Sequence, residues 1–124
     1  MSDRTILCIE DNEYNRKIVR QLISHTPYQL IEAIDGESGV ALAQQQLPDL
    51  ILMDVQLPKV SGLDATRTLK ADPHTRHIPI IVITSFALSG DREKAVAAGA
   101  DSYLAKPYSP RELLALVREF LPTS

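Results

Sequence analysis

Leu50-Ile51-Leu52-Met53-Asp54 is a run of four apolar residues that ends on a carboxylate. A strand that is apolar at every position, not at alternate ones, is buried on both faces, as in a parallel sheet lying between two layers of helices. Ile80-Ile81-Val82-Ile83 repeats the pattern and runs into Thr84-Ser85. Nearer the two ends, Thr5-Ile6-Leu7-Cys8-Ile9 runs into Glu10-Asp11, and Ser102-Tyr103-Leu104-Ala105 runs into Lys106-Pro107. In a parallel arrangement these polar groups all emerge on one edge of the sheet. Three carboxylates, a hydroxyl and an ammonium then share one crevice.

The segments between these runs read as helices. From Glu13 to His25, the residues Tyr14, Ile18, Leu22 and Ile23, with Val19 beside them, form one apolar stripe. Asp35-Gly36 opens a second helix over Glu37 to Gln46, which must stop before Pro48. Ser61-Gly62-Leu63-Asp64 has the spacing of a capping box, with Asp in place of Glu, ahead of a third helix from Leu63 to Ala71. Ser89 is suited to cap a fourth helix, and Gly99 to end it in a left-handed conformation. Ser109-Pro110-Arg111-Glu112 supplies an N-cap, a proline at the first helical position and a glutamate at the third, ahead of Leu113, Leu114, Val117 and Leu121. Tyr28 to Ile34 alternates partly and reads as an outer strand. Five strands alternating with five helices predict a doubly wound α/β sandwich, and right-handed crossovers put every strand's C-terminal end on the same edge. By analogy with the flavodoxin-like fold the strand order is 2-1-3-4-5, with its switch point between strands one and three. Glu10-Asp11 and Asp54 would meet there.

The composition bounds the rest. At 124 residues the chain suits one domain with one core, and 44% hydrophobic with 23% charged residues is ordinary for a soluble protein. A net charge of −3 and the lack of any Lys/Arg run longer than two argue against direct nucleic-acid binding. One cysteine, Cys8, excludes an internal disulfide framework, and its place in an apolar run makes it a buried thiol. Neither a signal-peptide core nor a membrane-length apolar run is present, which points to a cytoplasmic protein with no membrane partner. His25, His74 and His77 have no metal-ligand spacing and read as structural or surface residues.

Three clustered carboxylates repel one another. Two unit charges roughly 4 Å apart interact by about 4 kcal/mol at an effective dielectric of about 20. Burial then raises a pKa or destabilises the fold unless a cation intervenes. Magnesium prefers oxygen ligands, keeps several waters and leaves a position for a phosphate oxygen. A carboxylate in such a site can attack a phosphoryl group while an ammonium and a hydroxyl stabilise the transferring oxygens.

Over essentially its whole length, Arg4 to about Leu121, the chain resembles the receiver domains of two-component response regulators. The resemblance rests on Ile-Glu-Asp-Asn at 9–12, Leu-Met-Asp-Val-Gln-Leu-Pro at 52–58, and Gly62-Leu63. It continues through Ile-Thr-Ser at 83–85, Ala-Gly-Ala-Asp at 98–101 and Tyr-Leu-Ala-Lys-Pro at 103–107. Each motif alone is weak, and the ordered set is highly specific. It implies that Asp54 is the phosphoryl acceptor. Glu10, Asp11, Asp54 and the backbone carbonyl of Gln56 would hold magnesium, with manganese as a substitute. Thr84 would hydrogen-bond the phosphoryl group, Lys106 would pair with it, and Tyr103 would be the aromatic switch. Lys106-Pro107 is a candidate cis peptide. Glu10 stands where the family often has Asp, which would make its metal contact water-mediated. Phe86 and Gln56 flank the path of a hydrolytic water, and bulky Phe86 is expected to slow loss of the phosphoryl group.

The implied partners are a histidine kinase or histidine phosphotransfer protein upstream and a protein target downstream. The target would dock on the face formed by helix four, strand five and helix five. Residues 1–124 are expected to be a single stand-alone domain without an output domain, monomeric or dimerising on phosphorylation. It would be a switch that catalyses its own phosphorylation and dephosphorylation without being a turnover enzyme. The Met1-Ser2 start favours this over a receiver module excised from a hybrid kinase or larger regulator. A flavin module is disfavoured because the Glu-Asp-Asn turn repels phosphate. No G-x-G-x-x-G supports a dinucleotide site. Aspartyl phosphatases usually carry a second Asp two residues after the nucleophile, where this chain has Gln56.

Overall fold

The computed structural model describes residues 4–84 and 90–122. The strands are β1 (Thr5–Ile9), β2 (Gln29–Ala33), β3 (Leu50–Asp54), β4 (Ile80–Thr84) and β5 (Ser102–Ala105). They alternate with helices α1 (Glu13–Ser24), α2 (Gly36–Gln46), α3 (Gly62–Ala71), α4 (Asp91–Ala98) and α5 (Pro110–Phe120). All strands are parallel, in the order β2-β1-β3-β4-β5 that the flavodoxin-like analogy predicts. The registers Ile9↔Met53, Asp54↔Ile83 and Thr84↔Ala105 bring the polar strand ends level with one another.

Burial explains the apolar runs. Every residue of β3 and β4 is buried, because helices cover both faces of the sheet. One core layer packs Ile6, Leu52, Ile81 and Leu104 against Val19, Ile23, Leu113 and Val117 of α1 and α5. The other packs Leu7, Met53 and Val82 against Ala43, Ala65, Leu69 and Ala95 of α2, α3 and α4. Strand β2 lies at the sheet edge and has a single buried residue, Ala33, which accounts for its weaker pattern. Buried Tyr28, just before β2, donates its hydroxyl hydrogen bond to the backbone carbonyl of Leu121, tying the edge strand's start to the end of α5.

Helix starts follow the capping signals with two differences. Asn12, Asp35 and Ser61 each accept a backbone N–H at the start of α1, α2 and α3. At α5 both halves of the box form between Ser109 and Glu112. At α3 the Asp64 carboxylate takes Arg67 at 2.7 Å, since aspartate is one methylene too short to reach back as glutamate does. The N-cap of α4 is Gly90, with φ 98 and no side-chain cap; Ser89, expected there, lies outside the described residues, as does Phe86. Gly99 ends α4 at φ 102 as anticipated. One stripe residue departs from expectation. Tyr14 is 72% exposed, on the side of α1 away from the core, while Val19 and Ile23 are buried.

Gly62 sets the position of α3 against β3. A Cβ there would lie 2.0 Å from the carbonyl oxygen of Asp54 and 2.8 Å from Val55 Cα. No side chain fits. The glycine therefore lets the helix start directly on the strand end that carries the carboxylate.

Candidate functional site

Because the strands are parallel, Glu10, Asp54, Thr84 and Lys106 stand along the same edge of the sheet. Asp54 is the last residue of β3 and only 6% exposed. Its Oδ1 accepts a hydrogen bond from the backbone N–H of Gln56 at 3.1 Å, and its Oδ2 faces Lys106 Nζ at 3.4 Å. Lys106 Nζ also donates to Glu10 Oε1 at 2.9 Å, so one ammonium bridges the ends of β1 and β3. Glu10 Oε2 accepts from the N–H of Asn12 at 3.1 Å, which turns the chain into α1.

Asp11 is exposed but contributes to the same cluster. Carboxylate oxygens of Glu10, Asp11 and Asp54 all lie within 4.8 Å of one another. The charge conflict expected from the sequence falls on Glu10. Burial, together with the neighbouring Asp54, pushes its carboxyl above the ordinary value, against the opposing pull of Lys106. Burial alone would pull the Lys106 ammonium down, but its bonds to Glu10 and the charge of Asp54 raise it overall. Lys106 therefore stays charged. One ammonium against three carboxylates leaves an excess of hard, anionic oxygen donors. Such a donor set suits a divalent cation of the magnesium type.

The remaining residues surround this cluster. Thr84 ends β4, is 1% exposed, and its carbonyl accepts the N–H of Lys106 at 2.7 Å. Gln56 is exposed at the turn after β3. Tyr103 pairs with Val82 in the sheet and packs half-buried on the α4 side, three residues before Lys106. The Lys106-Pro107 bond is cis. An apolar groove of about 400 Å³ opens beside Lys106, between Tyr14, Ile18, Pro107 and Tyr108, and explains where exposed Tyr14 belongs. Burial pushes the Tyr108 hydroxyl to about 12, so this wall of the groove is uncharged. Cys8, likewise pushed to about 12 by burial, is a core thiol as expected. Among the described residues no helix is long and apolar enough to cross a membrane.

Sequence reasoning overlooked Arg16. Its side chain is 12% exposed and contacts the backbone of both Glu10 and Asp11. The available signal was its position one helical turn after the Asn12 cap.

Comparison with known proteins agrees with this geometry. Residues 6–118 match the family model described as the response regulator receiver domain. The polar-differentiation response regulator DivK of Brucella anthropi is 42% identical over 118 residues, covering 95% of this chain and 96% of that protein. The receiver domain of sensor histidine kinase PA1611 from Pseudomonas aeruginosa superposes with a TM-score of 0.90 at 36% identity, covering 98% and 100% of the two chains. That structure holds a magnesium ion in its active-site cleft. The Mn(2+)-bound response regulator Rcp1 superposes with a TM-score of 0.80 at 26% identity, covering 94% of this chain and 90% of that one. With the ordered motifs, the parallel sheet and the acidic crevice all in place, the chain belongs to the response regulator receiver domains of two-component signalling.

Proposed function

We propose that Asp54 is the phosphoryl acceptor of this receiver and that a histidine kinase or histidine phosphotransfer protein is the donor. The cluster of three carboxylates at the switch point, two of them facing one ammonium, carries the proposal. Glu10, Asp11 and Asp54, with the backbone carbonyl of Gln56, would hold magnesium, or manganese in its place. When bound, the ion supplies positive charge toward the phosphoryl oxygens.

The chain's own groups perform the remaining tasks. A lone pair of the Asp54 carboxylate forms the new phosphorus–oxygen bond as the donor's phosphorus–nitrogen bond breaks, and that electron pair returns to the imidazole ring. Lys106, released from Glu10, pairs with the transferred group, and the Thr84 hydroxyl hydrogen-bonds it. The apolar groove beside Lys106 is the surface on which the donor would sit.

Output follows from the coupling of Thr84 to Lys106 and of Lys106 to the strand that carries Tyr103. Phosphorylation would bias a pre-existing equilibrium of Tyr103 between outward and inward positions. Beside Tyr103 lies a cleft of about 180 Å³ bordered by Arg92, Val96 and Asp101, and Val96 is 63% exposed. A downstream protein would read this α4–β5–α5 face.

Intact-mass measurement after acetyl phosphate treatment tests the proposal. The wild type gains one phosphoryl group only with magnesium, and Asp54→Ala gains none. A gain that is independent of magnesium or survives Asp54→Ala would sink it.

A further inference from the structure

Arg16 has no place in the chemistry above, yet its guanidinium supports the β1–α1 turn. Nη1 donates to the carbonyl of Glu10 at 2.9 Å and to that of Asp11 at 3.2 Å. Nη2 bonds the Glu13 carboxylate, and Nε faces Glu32 Oε1 at 3.4 Å. Arg20 holds Glu32 in turn, through Nε to Oε2 and Nη2 to Oε1, each at 2.8 Å. The Arg20 hydrogen bond, more than any other contact, keeps the Glu32 carboxyl below its ordinary range. The Arg16 fork is therefore oriented by fixed anions from α1 and from β2.

The turn it supports is otherwise short of regular structure. Glu10 donates its N–H to Ala33 O at 3.0 Å, and Asn12 donates its own to Glu10 Oε2. The two carbonyls between these points are the ones Arg16 binds. Fixing them fixes both peptide planes, and with them the directions in which the Glu10 and Asp11 side chains leave the backbone.

We infer that Arg16 is a positioning residue for the metal. It orders, before any cation arrives, the backbone that presents Glu10 and Asp11. The inference rests on reading these two acids as the metal-holding pair.

Electrostatics alone makes the opposite prediction. A positive charge behind two carboxylates opposes a second cation, so its removal would tighten magnesium binding. Ordering predicts weaker binding on removal, because the disordered turn must be fixed at the moment of binding. Contacts with Glu13 and Glu32 offset much of the Arg16 charge, which leaves ordering as the larger effect. The sign of the change decides between the two accounts.

The test is magnesium titration by calorimetry and by the shift in thermal midpoint, on wild type, Arg16→Met, Arg16→Lys and Arg20→Met. Amide hydrogen exchange over residues 10–12 is measured without metal. Arg16→Met should weaken magnesium about tenfold, the factor that corresponds to ordering about one further residue of backbone. It should also speed exchange at the Glu10 and Asn12 amides. Arg16→Lys keeps the charge but not the fork, and should remain weaker than wild type; it carries the comparison if Arg16→Met fails to fold. Arg20→Met loosens Glu32, one of the anions that orient the fork, without touching the carbonyls, and should weaken magnesium far less than Arg16→Met does. Wild-type affinity or tighter binding in Arg16→Met and Arg16→Lys overturns the inference, as does equal weakening in Arg20→Met. Wild type that shows no magnesium-dependent stabilisation would instead overturn the reading of the acidic pair itself.

Discussion

Two lysines in this molecule, Lys70 and Lys106, are each 17% exposed and each reach a carboxylate at opposite edges of the same sheet. Lys70 meets Asp101 at 2.7 Å near the starts of β4 and β5, and it also donates to the carbonyl of Ile78 at 2.7 Å. The Asp101 carboxylate also accepts the N–H of Ile80 at 2.9 Å. One cation there answers one anion, with backbone groups satisfying both. Lys106 instead faces two carboxylates directly, with a third in the same cluster. The first pair is a closed structural fastening. The second carries a surplus of negative charge, which a divalent cation can offset.

The sharpest way to break this contrast is to remove each ammonium. Lys106→Met should slow phosphorylation by acetyl phosphate by about 10²–10³-fold, the usual cost of losing one preorganised charge-stabilising donor. Lys70→Met should leave that rate within about twofold. Equal rates in the two variants, followed by intact mass, would erase the distinction.

Each cluster also has its own glycine. Gly62→Ala drives a Cβ into the Asp54 carbonyl and should cost about 3 kcal/mol in urea unfolding, with phosphorylation impaired. At Gly99, φ is +102 and a Cβ would meet Lys70 Cγ at 3.0 Å and Cβ at 3.2 Å, near the root of that side chain. Gly99→Ala should cost about 1–2 kcal/mol, chiefly backbone strain, and spare the reaction.

Neutralising one acid in each cluster should give opposite signs. Asp54→Asn relieves crowding and should raise the metal-free melting temperature, by about 1 kcal/mol in stability. Asp101→Asn leaves Lys70 without its partner and should lower stability by about 0.5–1 kcal/mol, since this pair is partly solvated. Magnesium should reverse the first difference by stabilising the wild type and leave the second in place.

The smallest effect is the pH dependence. Glu10 has a folded-state pKa raised above 4.5, so its contribution is fully present below that pH and is lost as pH rises through the folded value. Glu32 is shifted down, so its contribution is present above 4.5 and lost on acidification through its lowered value. Stability profiles of metal-free Glu10→Gln and Glu32→Gln should flatten on opposite sides of 4.5.

The sheet was legible in the sequence because burial on two faces writes itself as continuous apolar runs, and β3 and β4 are the clearest instances. Membership of the acidic cluster was legible for the same reason: parallel strands turn position at a strand end into position in space. Tyr14 misled because helical periodicity marks an apolar stripe without saying whether the core or a surface groove lies beneath it. Arg16 left only a weak trace, its place one turn after the Asn12 cap, because binding a backbone carbonyl constrains the arginine and not the residue that owns the carbonyl. The resting partner of Lys106 was hidden too, since strand order alone does not say which acid of the cluster its ammonium reaches; the level ends of β1 and β3 put Glu10 Oε1 there at 2.9 Å.

The hydrogen bond from Tyr28 to Leu121 joins residues 93 apart in sequence. Such a contact closes about three quarters of the chain into a loop, a closure whose entropic cost is offset once β2 and α5 are both in place. We expect it to form late in folding and to break early in unfolding. A phenylalanine at position 28 would therefore act on the lifetime of the folded molecule, hastening unfolding while leaving the rate of folding nearly unchanged.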